Sequence, residues 1–366
     1  MLVIDGSNGI TFPNNSTQAV GFYGFKNRII NGGMVIDQRN NGSSFLTAAG
    51  GQYTVDRWGA YVSQASKLTV GQNYGSVGAP VGFNNYLGGF VTSSATVGST
   101  DRFVLYQGIE GYNIADLQYG TANAKTVTLS FWVYSSLTGT FGGALGNASQ
   151  NYGYPFTYTI SSANTWTQIS ITIAGPTSGT WGSTNGGGIY VYFGLGVGSS
   201  YTNTAGSWYG TTIFGASGAT NVISTASATF NITGVQLEVG TQATSFDYRP
   251  YTTELQLCQR YFQTPVPFEA GYFATGYAGS STTSYYPLLF QTKMRTAPTV
   301  SYSGSVSNFF VNWLGSTTTG SALTFQSTTS QGTFIAPFTT GSGLTSGQAV
   351  IFQGNGSSAI FASAEL

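Results

Sequence analysis

Between Thr126 and Leu237 the chain carries no Asp, Glu, Lys, Arg or His, and its apolar residues recur at every second position between runs of Gly, Ser and Asn. A pleated strand sorts such a sequence onto two faces, one apolar and one of hydroxyls and rings. Val127, Leu129, Phe131 and Val133 point one way, while Thr128, Ser130 and Trp132 point the other. Ile169, Ile171 and Ile173 repeat the pattern, and so do Ile189, Val191, Phe193, Leu195 and Val197. Around Gly234 the parity flips, from Phe230 and Ile232 to Val235, Leu237 and Val239, so a β-bulge is expected there. Many such strands at short spacing predict an all-β chain built as a sandwich or jelly roll.

The same tract limits the chemistry. Histidine is absent from all 366 residues, and most enzyme sites need a group that titrates near neutral pH. Serine-hydrolase elbows and metal-binding histidine pairs both require it. Charged residues make up 6% of the chain against 15% aromatics, a composition too apolar for disorder and suited to a surface that binds without reacting. The 11 basic and 11 acidic residues cancel, so nothing steers the chain to nucleic acid or anionic lipid, and self-association is expected. Cys258 stands alone, which excludes an internal disulfide and reads as a buried, inert thiol. The start, Met1-Leu2-Val3-Ile4-Asp5-Gly6, lacks the basic and apolar runs of a signal peptide, and no stretch approaches a membrane span. A soluble protein made in a cytoplasm is expected, with no cofactor and no metal.

Three regions are expected. Residues 1–25 form a lead segment too small to fold alone, suited to attachment or oligomerisation. Residues 26–262 form the jelly-roll body, ending in one short helix over Glu254 to Arg260 capped by Thr253. Residues 263–366 form a smaller β-sandwich. Its expected strands are Tyr285 to Gln291, Pro298 to Tyr302, Phe309 to Trp313, Leu323 to Gln326, Thr333 to Phe338, Ala349 to Phe352 and Ala359 to Phe361.

The few charges gather in Lys26 to Arg57, Asp101 to Lys125 and Glu238 to Arg260, with opposite signs adjacent: Asp37 near Arg39, Asp56 beside Arg57, Asp101 beside Arg102, Asp247 near Arg249. They are expected to pin strand edges, corners or subunit contacts. A glycosidase would need two opposed carboxylates, for which Glu110, Asp116, Glu238, Asp247 and Glu254 are the candidates. Asp5-Gly6-Ser7-Asn8-Gly9 invites a calcium reading but lacks the further acidic ligands and reads as a turn. Gly186-Gly187-Gly188 precedes a strand and reads as a surface loop.

Aromatic rings are the remaining ligand candidates. Tyr190 and Tyr192 share the face opposite the apolar stripe, and Trp181, Tyr201, Trp208 and Tyr209 sit in nearby Gly- and Ser-rich loops. Rings stack on sugar rings while hydroxyls and amides bond the sugar OH groups. Packing between subunits is the competing use of the same rings.

Several segments together carry a resemblance. They are Asn27-Arg28-Ile29-Ile30-Asn31-Gly32, Ile36-Asp37-Gln38-Arg39, Tyr53-Thr54-Val55-Asp56-Arg57-Trp58, Gln107-Gly108-Ile109-Glu110-Gly111 and Val127 to Val133. Thr165-Trp166, Gly179-Thr180-Trp181, Ile232 to Gly240, Ser245 to Pro250 and Leu257 to Phe262 continue the series. In this order and spacing the chain resembles the tail-fibre and receptor-binding virion proteins of tailed bacteriophages that carry a carbohydrate-binding-module-like jelly roll. Gly9 to Gln18, Lys293 to Pro298 and Ala364-Glu365-Leu366 resemble flanking segments of such fibres. The resemblance implies a homotrimer that joins other virion proteins and engages host surface polysaccharide without catalysis. Capsid decoration or head-fibre proteins carry similar modules, and a polysaccharide depolymerase is the third reading. The binding aromatics are not fixed by these motifs.

Overall fold

The structure, a computed structural model, describes residues 3–5, 9–11, 17–18, 26–75 and 77–366. In the lead segment β1 (Val3–Asp5), β2 (Gly9–Thr11) and β3 (Thr17–Gln18) form an antiparallel meander. Residues 6–8, and with them the expected turn and the calcium reading, lie outside the described residues.

The body follows as β4 (Phe45–Leu46), β5 (Gly50–Tyr53), β6 (Trp58–Val62), β7 (Leu68–Gln72), β8 (Leu87–Val91), β9 (Arg102–Glu110) and β10 (Val127–Ser135). It continues with β11 (Gly139–Asn147), β12 (Gly153–Ile160), β13 (Thr167–Ile173), β14 (Gly187–Val197), the two-residue β15 (Thr202–Asn203) and β16 (Gly215–Ala216), and β17 (Thr229–Val239). Two antiparallel sheets result, ordered β13-β10-β17-β8-β7-β4 and β12-β11-β14-β9-β6-β5. Sequence neighbours are mostly not sheet neighbours, as a jelly roll requires. The sheets close on a core that includes Trp58, Phe103, Phe131, Phe141, Phe193 and Phe230.

The alternation read from the sequence sets this core: Val127, Leu129, Phe131 and Val133 are all buried in it. The bulge at Gly234 is present. Ser130 pairs with Gln236 and Trp132 with Thr233, so Gly234 and Val235 together oppose Phe131. Gly234 has φ +61°, and a Cβ there would lie 2.6 Å from the Phe83 ring, so only glycine fits. Val197 departs from the expected stripe. A second irregularity, between Gly194 and Gly196 in the pairing of β14 with β9, turns it to the opposite face against Phe214 and Ile213.

Helix α1 (Tyr251–Gln259) begins earlier than expected, with Pro250 at its N-cap and no side-chain cap, so Thr253 lies inside it. Its buried Glu254 instead reaches outward to accept from the Asn31 amide and Arg249. Beyond it come β18 (Phe262–Val266), β19 (Ala270–Ala278), β20 (Thr283–Leu289), β21 (Thr299–Ser303) and β22 (Phe309–Trp313). The last strands are β23 (Ser316–Thr319), β24 (Phe325–Gln326), β25 (Gly332–Thr339), β26 (Ala349–Asn355) and β27 (Ala359–Ser363). Sheets β18-β27-β21 and β23-β22-β26-β19-β20-β25-β24 enclose Tyr286, Phe309, Phe338 and Phe352. All seven expected strands are found; β18, β19 and β23 were missed. Pro265 interrupts the first, small residues dilute the second, and the third is all Ser and Thr.

Charge pairing differs from what sequence adjacency suggests. Arg39 pairs with Glu365 at 2.8 Å, and the buried Arg57 takes the other oxygen of the same carboxylate. Asp56 is bonded by Gln38, Asp37 accepts from the Asn40 and Gly42 amides, and Asp101 accepts from Gln64 and the Gly98 amide. Of the four adjacent pairs, Asp247 and Arg249 come close, at 3.9 Å. Apart from Arg102 at the start of β9, these residues sit in turns and loops, where Arg57 takes a positive φ of 70°, so backbone direction and not sequence adjacency decides which partner each charge meets.

Replacing Glu365 by Ala strands the Arg57 guanidinium in a site that is 1% exposed. The expected loss is about 3–5 kcal/mol in urea-induced unfolding. Burial also lifts the Asp56 carboxyl from 3.8 to about 6. Between those values the folded chain holds a proton that the unfolded chain has released. Stability from this residue is therefore full below pH 3.8 and falls by roughly 3 kcal/mol as pH rises through 6. In thermal melts across this range, Asp56→Asn should show a correspondingly flatter rise on acidification than the native chain.

Candidate functional site

The outer face of the sheet β12-β11-β14-β9-β6-β5 is paved with tyrosine. Tyr190 and Tyr192 alternate with the core residues Ile189, Val191 and Phe193 on β14. On β9 Tyr106 alternates with buried Leu105 and Gln107, and on β6 Tyr61 with Ala60 and Val62. Cross-strand register decides how the rings lie. Tyr106 sits opposite Gly59, and Tyr190 sits opposite Gly108 and Gly146. A Cβ at Gly59 would meet the Tyr106 ring at 2.4 Å, and one at Gly108 would meet the Tyr190 ring at 2.9 Å. The rings thus lie down across the glycines of neighbouring strands instead of standing off the sheet.

The outcome is a low aromatic floor. Tyr190 and Tyr192 are stacked with centroids 6.0 Å apart at 12°, and Tyr106 lies 6.4 and 6.2 Å from them. Over it opens a cleft of ≈ 150 Å³ walled by Tyr61, Arg102, Gln150, Phe214 and Leu366. Tyr53 donates to the Leu366 carbonyl at 2.6 Å, so the end of the second β unit forms part of the rim.

Three polar features face this cleft. Burial raises the Tyr106, Tyr190 and Tyr192 hydroxyls above their ordinary range, so they stay protonated. The Tyr192 hydroxyl is buried and meets no partner; the exposed Gln150 comes near it without hydrogen-bonding geometry. Arg102 holds its guanidinium 3.7 Å over the Tyr61 ring and 4.5 Å from that of Phe214.

The six aromatic candidates from the sequence divide into two groups. Tyr190 and Tyr192 form the floor. Tyr201 packs on Phe214 at 5.3 Å, and Tyr209 joins the same outer cluster while its backbone bridges Gly153. Trp181 and Trp208 are not brought to the cleft. They pack edge to face at 5.4 Å beside Tyr119, Tyr152 and Tyr154, against the core between the sheets. Both indole N–H groups are spent on backbone, donating to Ser178 at 3.1 Å and Ala174 at 2.7 Å. Tyr61, Arg102, Tyr106 and Gln150 were missed. The alternation that exposes Tyr190 was present in β6 and β9 as well and would have found both tyrosines.

The five candidate carboxylates are all engaged away from this cleft. Glu110 accepts from Arg260 and Tyr261, and Glu254 from Asn31 and Arg249. Glu238 accepts from Gln236 and Thr244, Asp247 from the Lys26 and Asn27 amides, and Asp116 from Arg28. Among the described residues no group of three or more acidic, Cys or His side chains is placed to hold a metal ion.

No family model and no curated protein matches the chain. Solved structures similar to it include the enzymatically active domain of tailspike protein 4 from bacteriophage CBA120, at 14% identity and a TM-score of 0.29. That match takes in 58% of this chain and 21% of the tailspike chain. The CBM22-2 xylan-binding domain from Paenibacillus barcinonensis is similar at 16% identity and a TM-score of 0.30, over 57% of this chain and 99% of the domain. A family 11 carbohydrate-binding module from Clostridium thermocellum, solved with a mixed-linked tetrasaccharide, is similar at 12% identity and a TM-score of 0.27. It covers 54% of this chain and 100% of the module.

Because the Tyr192 hydroxyl makes no bond inside the chain, Tyr192→Phe should leave stability unchanged or raise it by up to about 1 kcal/mol in urea unfolding. A loss of more than about 1 kcal/mol would show that the hydroxyl is already satisfied.

Proposed function

We propose that the protein is a glycan-binding component of a tailed-phage virion, which grips a bacterial surface polysaccharide on its tyrosine face without cleaving it. One observation carries this reading: a floor of three packed tyrosine rings under a cleft that also presents Gln150 and Arg102. Sugar rings present C–H faces that lie on such a floor, while their hydroxyls exchange hydrogen bonds with Gln150 and the half-buried tyrosines. The engagement of all five candidate carboxylates in bonds within the fold supports binding over hydrolysis. Assembly as a homotrimer, with residues 1–25 directed to other virion proteins, belongs to the same proposal and follows the motif resemblance across residues 26–262. Light scattering at micromolar concentration should give three copies.

Binding is tested on a panel of purified bacterial surface polysaccharides by affinity electrophoresis and calorimetry. The native chain should retain at least one of them with no release of reducing ends. Tyr190→Ala should weaken that binding about tenfold, ~1.4 kcal/mol. Trp208→Ala should lower the melting temperature and leave the affinity unchanged. A folded native chain that binds nothing on the panel, or one that releases reducing ends, overturns the reading.

A further inference from the structure

We infer that the tyrosine cleft selects a saccharide carrying a carboxylate, with Arg102 as the residue that recognises it. The inference rests on the glycan-binding reading and names its ligand class.

Charge is scarce in this chain, and its arginines are committed one by one. Arg28 pairs with Asp116, Arg39 and Arg57 with Glu365, Arg249 with Glu254, and Arg260 with Glu110. Arg295 spends its guanidinium on the carbonyls of Asn185, Ala364 and Glu365. Arg102 differs. Its backbone amide and carbonyl bond Ser63, but among the described residues its side chain has no carboxylate partner and no hydrogen-bond acceptor. The neighbouring Asp101 turns away to Gln64 and the Gly98 amide.

The guanidinium is nevertheless held in place. Contact with the Tyr61 and Phe214 rings fixes its position by cation–π attraction. It is the one cation among the residues that wall the cleft, and no acidic residue is among them. A fixed guanidinium with unused N–H donors beside an aromatic floor fits a planar carboxylate on two parallel hydrogen bonds. One positive charge matches the single negative charge of a uronic-acid-type carboxylate, whereas a phosphate monoester would bring close to two. The exposed Gln150 is left to bond the sugar hydroxyls.

The test compares acidic polysaccharides of the panel with their carboxyl-reduced forms, in which each uronic acid becomes the neutral sugar of the same configuration. The native chain should bind an acidic polymer at least tenfold more tightly than its reduced form, with the difference shrinking as salt is raised. Arg102→Met keeps an unbranched stem between the rings and removes the charge, and it should abolish the preference while retaining the weaker binding to the reduced polymer. Its melting temperature serves as the folding control, and Arg102→Lys should restore part of the preference if packing at Arg102 disturbs the fold. Equal binding of acidic and reduced forms by the native chain, or a preference that survives in a folded Arg102→Met, overturns the inference and leaves the glycan-binding reading standing. Failure to bind either form of any polymer overturns both.

Discussion

A guanidinium sealed from water needs a carboxylate beside it, and Arg57 finds one 308 residues away in Glu365. That contact, shared with Arg39, fixes the end of the second β unit against the first. Around it lie Tyr261, whose ring faces the Arg57 guanidinium at 3.6 Å, and Arg295, which holds the Ala364 and Glu365 carbonyls. In a chain that is 6% charged, such a junction is both costly to break and hard to form wrongly, because few alternative partners exist.

The sheets themselves were legible because one physical rule generates them. Strict alternation puts Val127, Leu129, Phe131 and Val133 on one face, and the parity change at Gly234 marks a bulge that the pairing with Phe131 displays. Alternation fails as a guide where the strand itself is irregular, as at Val197, or where side chains are too small or too uniform to show a period, as in β19 and β23. Charge partners were not legible. Asp56 and Arg57 are adjacent in sequence, yet the turn between β5 and β6, with Arg57 at a φ of 70°, sends one to Gln38 and the other to Glu365.

The site was half visible for the same reason. Tyr190 and Tyr192 declared themselves by being out of phase with the core, but the ring that completes the floor, Tyr106, belongs to a strand far off in sequence. Register makes the neighbourhood: it sets glycine opposite tyrosine, and without that match the rings would stand upright and the cleft would not exist. The tryptophans lie elsewhere on the body. Their rings stay half-exposed as loop position suggested, but their N–H groups hold loops to the sandwich on a patch apart from the tyrosine floor.

Leu366 borders the cleft, and Tyr53 grips its carbonyl. The cleft is therefore assembled from strands made early in synthesis and a wall made late. A polypeptide that lacks residues 364–366 has the tyrosine floor without this border, so the shape of the cleft depends on the two β units having docked.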